Sequence, residues 1–273
     1  MKLLVINPNI STDVTRLIEA EARRSIRPGT ELTLATAPFG VAYIETRAEA
    51  LIGGYAAMQI AAARYAAHDA VVVAAFGDPG LVALREILPI PVVGMTESAL
   101  VSACQQGSRF SVIAISQRIQ AWYRETIAAY GFTDRLASIR ALDEPLAHIG
   151  RVQEDQGERL VALAERAVTE DGADVLILAG APLAGLARTV AHRLPVAALD
   201  GVTCALHQAQ AMVDLAPAVA RGGSFAAPPA KDCRGLPEAL SRLVGRQPLA
   251  TQAPPRARRP PRRLLRSRPC TVY

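Results

Sequence analysis

The stretch Val71–Leu100, VVVAAFGDPGLVALREILPIPVVGMTESAL, decides the fold. It reads as an apolar strand, a turn of small residues, a short helix, a Pro-led strand and the start of a second helix. Slid along the chain by 104 residues, it falls without a gap on Val175–Cys204, VLILAGAPLAGLARTVAHRLPVAALDGVTC. Val71 then meets Val175, Ala75 meets Ala179, Pro91 meets Pro195 and Leu100 meets Cys204. All strand–helix units share some likeness, but the common Pro and the absence of gaps favour a true internal repeat.

Outward from this pair, strand and helix patterns alternate. Apolar runs that read as buried parallel strands are Leu3–Ile6, Leu32–Ala35, Ala70–Ala75, Val92–Gly94, Ser111–Ile115, Val175–Ala179 and Val196–Ala198. Amphipathic stretches at Thr12–Arg24, Arg47–Ala66, Gln117–Ala129 and Gln156–Thr169 read as helices. The expected class is α/β, two pseudosymmetric lobes, each a parallel-core sheet flanked by helices. Two such lobes face each other across a cleft, and ligands of open α/β sheets bind at the carboxyl ends of strands. INPNIS (Ile6–Ser11), AAFGDPG (Ala74–Gly80) and LAGAPLAG (Leu178–Gly185) are such ends and are expected to meet at one pocket.

Composition narrows the partners. Hydrophobic residues make up 51% of the 273 and charged residues 20%, the balance of a globular chain. Residues 1–225 are expected to form the two-lobe unit, 226–245 an extension of that body, and 246–273 a Pro/Arg-rich, disordered tail. The net charge of +5 comes from this tail: residues 251–273 hold seven Arg and no acid, and without them the remainder carries −2. No aromatic is interleaved with the tail's Arg residues, so nucleic acid is not an expected partner. The apolar runs are too short for a membrane span, and MKLLVINPN lacks the features of a signal peptide, so a cytoplasmic location is expected. Cys104, Cys204, Cys233 and Cys270 form no CxxC pair, and His68, His148, His192 and His207 are scattered, so no metal is expected. Cys104 and Cys204 sit in helical patterns and read as small buried residues.

Each candidate site residue has a structural and a functional reading. Asn7 can grip a carbonyl or carboxylate at a helix N-terminus, whereas Asn9 or Ser11 can simply cap that helix. The N–H groups of Phe76, Gly77 and Asp78 can cradle an anion, and Ala181 and Pro182 in AGAP can do the same in the second copy. Asp78 also reads as the cap of the helix led by Pro79. Ser116, at the end of SVIAIS, caps or binds. Thr96, Glu97 and Asp200 stand at helix starts, where such residues are common for structural reasons.

Taken in order, LLVINPN, IET, AAFGDPGL, IPVVGMTESA, RFSVIAIS, DGADVLILAGAPLAGLA and VAALDGV resemble the Asp/Glu/hydantoin racemase superfamily, nearest its hydantoin and allantoin racemase branch. The likeness covers about residues 1–225. It implies a cofactor-independent isomerase that moves a proton at the carbon α to a carbonyl of a small cyclic amide or amino-acid derivative. In the family, one cysteine from each lobe flanks the substrate, one removing the proton and the other returning one. The resemblance places Ala75 and Gly180 at those two positions, so a two-thiol mechanism cannot run. It further implies that Asn7, Ser11, Phe76, Gly77, Asp78, Ser116, Ala181 and Pro182 line the substrate. A decarboxylase or lyase of the same fold, and a non-catalytic small-molecule binder, stay open as alternatives, and a second copy of the chain is a candidate partner. Because the implied site lies before residue 225, truncation after Gly245 is expected to leave the melting transition and ligand affinity nearly unchanged. A large drop in either, by thermal melting or calorimetry, would show instead that the tail docks on the body.

Overall fold

The computed structural model describes residues 1–144, 146–215 and 223–245, and the tail at 246–273 lies outside the described residues. Two four-stranded sheets, parallel throughout, form the frame. The first holds β1 (Lys2–Asn7), β2 (Glu31–Thr36), β3 (Ala70–Val73) and β4 (Val92–Gly94) in the order β2-β1-β3-β4. The second holds β5 (Phe110–Ala114), β6 (Leu136–Ala141), β7 (Val175–Leu178) and β8 (Ala197–Asp200) in the order β6-β5-β7-β8. The helices of the first lobe are α1 (Thr12–Ser25), α2 (Arg47–Arg64), α3 (Leu81–Ile87) and α4 (Met95–Gln106). Those of the second are α5 (Gln120–Ala129), α6 (Val152–Thr169), α7 (Leu186–Val190) and α8 (Gly201–Leu215), and α9 (Glu238–Val244) returns to pack on α2. The two sheets share one order, so the internal repeat spans whole lobes.

The repeat offset needs one correction. Along β3, Val71 and Val73 face an outer core while Val72 and Ala74 face inward. Along β7, Leu176 and Leu178 face outward while Val175, Ile177 and Ala179 face inward. Sliding by 104 therefore lays inward residues on outward ones, because a slip of one residue exchanges the faces of a strand. Matching the faces equates Val71 with Leu176 and Ala75 with Gly180. The gapless fit misleads because Val71 pairs with Val92 whereas Leu176 pairs with Ala198, so the second copy spends one residue more between partners.

Other departures are local. Reading apolar runs passes over β6, an edge strand broken by Ser138 and Arg140; Ser138 Oγ lies 2.8 Å from Ser111 Oγ, and Arg140 turns out to Asp171. α6 starts at Val152, four residues before the expected Gln156. Arg47–Ala66 ends in a 3₁₀ turn at Tyr65–Ala67, and Gln117–Ala129 opens with one at Gln117–Ile119. α1 is capped by Ser11, and α2 by a reciprocal box between Thr46 and Glu49.

Between the sheets lies one continuous apolar layer containing Leu3, Val5, Val72, Val112, Val175 and Ile177, with side chains of α1, α4 and α8. The last helix of each half crosses over: α8 packs on β3 and α4 on β7. A polar tie supplements this layer. Glu21 of α1, with its side chain 5% exposed, pairs with Arg188 of α7. Thr203 Oγ1 of α8 lies 3.0 Å from Glu21 Oε1 and 2.9 Å from Asp200 Oδ2. Burial pushes the Asp200 carboxyl above its ordinary value, opposed by the N–H and hydroxyl of Thr203. Removing one member of such a cluster leaves the others unpaired, so Glu21→Ala is expected to cost about 2–4 kcal/mol in urea denaturation, with an unchanged m-value. A cost near zero would mean that the tie contributes nothing to lobe docking.

Candidate active site

In each sheet the chain first steps to one side and then to the other, so the order of strands reverses between β1 and β3, and again between β5 and β7. The carboxyl ends beside such a reversal are where open α/β sheets bind ligands. Four turns leave from these ends: Pro8–Ser11, Ala74–Gly80, Ile115–Gln117 and Ala179–Gly185. Ala74, Phe76, Ala179 and Ala181 all border the inter-lobe apolar layer.

Several candidate residues are already occupied within the protein. Asn7 is fully buried; its amide nitrogen donates to Asn9 Oδ1, Ser11 O and Thr15 Oγ1 at 3.0–3.1 Å, and its oxygen accepts from the Asn9 N–H. This leaves Asn7 as the clasp of its own turn. Ser11 Oγ accepts from the Val14 N–H and Ser116 Oγ from the Arg118 N–H, both as helix caps. The Gly77 N–H donates to Thr96 Oγ1 at 2.5 Å and the Asp78 N–H to the Ala75 carbonyl at 3.1 Å. Of the three N–H groups read as an anion cradle, only that of Phe76 finds no acceptor, backbone or side-chain, among the described residues. In the second turn, the Ala181 N–H is likewise without one, while the Pro182 carbonyl accepts from Gln153 Nε2 at 2.8 Å.

Asp78 caps a helix, though not the one that follows it. α4 begins directly after Gly94 and has no side-chain cap from its own preceding residue. Asp78 reaches across instead: Oδ1 accepts from the Thr96 N–H at 2.8 Å, and Oδ2 from the Glu97 N–H and the Tyr130 hydroxyl, both at 2.9 Å. Any side chain at position 94 would collide with this carboxylate, so Gly94 makes room for it. Asp78 itself adopts a φ of 47°, a costly conformation for a non-glycine residue. Burial raises its pKa to about 6 against the three donated hydrogen bonds, and the neighbouring Glu97 charge adds to the rise. Arg85 balances that charge, bonding Glu97 Oε1 at 3.1 Å and the Val92 carbonyl at 3.0 Å.

An aromatic wall stands beside this turn. The Trp122 ring stands against Gly77, so close that no side chain fits there, and the ring centroids of Phe76 and Tyr123 are 4.7 Å apart. Trp122, Tyr123 and Tyr130 carry no motif, and sequence reading passed over them. Their one signal is density, three aromatics within AWYRETIAAY in a chain that is 4% aromatic.

Ala75 and Gly180 occupy equivalent places. The last ladder bonds before them match, Ala74 N–H to the Ile6 carbonyl and Ala179 N–H to the Ile113 carbonyl, each at 2.8 Å. Their backbones differ. Ala75 has an ordinary negative φ, whereas Gly180 adopts φ 110° and ψ 142°, a region open almost only to glycine.

The match to known proteins covers this whole arrangement. The Asp/Glu/Hydantoin racemase family model matches residues 3–209, from β1 into α8. The hydantoin racemase of Pseudomonas sp. (strain NS671) is 31% identical over 89% of this chain and 98% of its own length. The hydantoin racemase of Paenarthrobacter aurescens is 32% identical over 85% and 99%. Among solved structures, allantoin racemase from Klebsiella pneumoniae superposes with a TM-score of 0.83 at 32% identity, covering 88% of this chain and 98% of that one. This chain belongs to the Asp/Glu/hydantoin racemase family.

Within this racemase fold Cys104 and Cys204 lie in helices and not at either strand tip. Cys204 lies in α8, where burial pushes its thiol up to about 11, and Cys104 lies in α4 with its thiol also raised by burial. Neither is poised as a thiolate. Among the described residues no three His, Cys, Asp or Glu are grouped to hold a metal ion, and no helix is long and apolar enough to cross a membrane. A cavity of about 430 Å³ opens beside the edge strand β6, lined by Arg140, Arg159 and Arg166 among others. Each of these Arg residues is already paired with an acid.

Asp78 gives a pH test of this geometry. The folded chain holds its proton more tightly than the unfolded chain, whose value is near 3.8. Its contribution to stability is therefore greatest below that value and is lost as pH rises through about 6. The stability of the wild type minus that of Asp78→Asn, from urea melts across this range, is expected to fall with rising pH and then level off. A difference independent of pH would contradict the buried, titrating carboxyl.

Proposed function

We propose that this chain is a hydantoin-racemase-like isomerase. It exchanges a proton at the carbon α to a carbonyl in a small cyclic amide or amino-acid derivative, without a cofactor and in the cytoplasm. The observation that carries the reading is the equivalence of Ala75 and Gly180 at the switch points of two like sheets. The near full-length likeness to hydantoin and allantoin racemases supplies the substrate class.

On this reading the substrate sits in the cleft between the lobes, with Ala75 and Gly180 where the family places its two thiols. Neither residue can move a proton. The unengaged N–H groups of Phe76 and Ala181, one residue beyond each position, bind the carbonyl oxygen and stabilise the charge that grows on it as the α-proton leaves. Gly77, Asp78, Asn7 and Ser11 serve by holding these turns in shape, while Ser116 and Pro182 complete the walls. The α-proton passes to solvent water in the cleft and one returns from solvent, so turnover here draws on enolate stabilisation rather than on a thiol pair, and is correspondingly slow.

Proton NMR of hydantoins and allantoin in D₂O tests this directly. Loss of the α-proton signal faster than in buffer is expected. Ligand-dependent melting without exchange would recast the chain as a binding protein, and loss of a carboxyl or other group from a substrate would recast it as a decarboxylase or lyase. Ala75→Cys adds a thiol on an ordinary backbone and is expected to raise exchange by about 10²-fold, the usual contribution of a positioned base. Gly180→Cys must first leave its glycine-only conformation, at a cost of about 1–3 kcal/mol, and is expected to gain less.

A further inference from the structure

The aromatic residues that stand against the Phe76–Gly77 turn come from the other lobe. α5 follows β5 as α1 follows β1, and α1 in its turn packs on the Ala181–Leu183 segment of the second lobe. α1 carries no aromatic residue, whereas α5 brings Trp122 and Tyr123 side by side. Cε2 of Trp122, the ring carbon bonded to the indole nitrogen, would lie 2.7 Å from a Cβ at Gly77. The Tyr123 ring centroid is 5.7 Å from that of Trp122 and 4.7 Å from that of Phe76.

Both side chains are buried in the layer between the lobes, Trp122 at 8% exposure and Tyr123 at 2%. A buried indole N–H or phenol O–H ordinarily finds a partner, because leaving one without costs free energy. Tyr130, at the end of the same helix, follows this rule and gives its hydroxyl to Asp78. Neither the Trp122 N–H nor the Tyr123 hydroxyl has a partner among the described residues, where Gln156 Oε1 is the one fully enclosed side-chain atom in that condition. Both donors therefore still open onto accessible space. Burial, with the charges of Asp78 and Glu45, holds the Tyr123 hydroxyl well above its ordinary pKa, so it stays a donor. The Phe76 N–H beside them is a third donor without an acceptor among the described residues.

We propose that Trp122 and Tyr123 bind the substrate, their N–H and O–H donating to a second carbonyl oxygen beside the one that the Phe76 and Ala181 N–H groups stabilise. The assignment rests on the isomerase reading for the kind of ligand, and it narrows that kind to rings with two carbonyl oxygens, such as a cyclic ureide. A ring held at both oxygens presents its α-carbon to the two strand tips in one orientation. Because α1 offers no aromatic donor on the opposite side, the second oxygen is read from the Phe76 side of the cleft.

Titration of the full chain with hydantoin, followed by tryptophan emission, tests the proposal. Trp122 is the one tryptophan of the chain, so the signal arises at the site itself. A saturable change is expected in the wild type. Tyr123→Phe keeps the ring and removes only the hydroxyl. Its half-saturation is expected about tenfold higher, the effect of one lost uncharged hydrogen bond, and its preference for hydantoin over the one-carbonyl ring 2-pyrrolidone is expected to vanish. A hydroxyl without a partner in the chain adds nothing to the unliganded fold, so the variant is expected to melt no lower than the wild type. A variant that binds hydantoin like the wild type, keeps the preference, or melts markedly lower overturns the proposal. So does emission that ignores hydantoin while α-proton exchange proceeds, an outcome that leaves the isomerase reading standing. Binding weakened by Tyr123→Phe without exchange in the wild type overturns that reading instead, and a wild type showing neither binding nor exchange overturns both.

Discussion

Alternation along β1, β3, β5 and β7 is the constraint on which the other features rest. Each of these strands gives every second side chain to a single layer shared by both lobes, and the residues between to an outer core of its own lobe. Burial on both faces leaves no neutral register, since a shift of one residue exchanges two complete sets of contacts. Because the strands end in step, the four turns that follow them start from matched heights. The equivalence of Ala75 and Gly180, which the family resemblance implied, is thus a product of packing as well.

Much of this architecture is legible in the chain. Runs such as Val71–Val73 and Val175–Leu178 are long and apolar enough to be read as buried strands, and two similar segments in one order announce two lobes. The exact repeat offset is not legible, because Val, Leu and Ala are interchangeable to the eye whichever way they point. β6 escapes because an edge strand tolerates Ser138 and Arg140, whose polar ends find partners at the margin. The site is read less well than the fold. Asn7, Ser11 and Ser116 have the right chemistry for ligands and also for caps, and nothing local separates the two. Only the three-dimensional partners do, and they favour the caps. The positive φ of Gly180 is equally silent, since glycine is as common in ordinary turns.

The family resemblance and the physical reading meet at the strand tips and part at the side chains. Family membership accounts for the frame, the repeated strand order and the placement of turns at the switch points. Asp78 shows what the turn itself requires. A buried carboxylate, a strained backbone and an obligatory glycine at position 94 combine to hold one loop against the start of α4. Such an investment in rigidity suits a site where backbone groups, rather than mobile side chains, meet the ligand.

The crossing of α4 and α8 has a consequence for how the molecule forms and comes apart. Each lobe lends its last helix to the sheet of the other, so neither half of the chain contains all the apolar surface needed to seal its own core. A polypeptide ending near residue 108 would expose the inner face of β1 and β3 and a helix without its receptor. The lobes are two by symmetry and one by thermodynamics. Folding must wait for α8, synthesised more than a hundred residues after β3, to reach the surface it closes. Contacts this distant in sequence raise the contact order, the topological feature that slows folding in small domains.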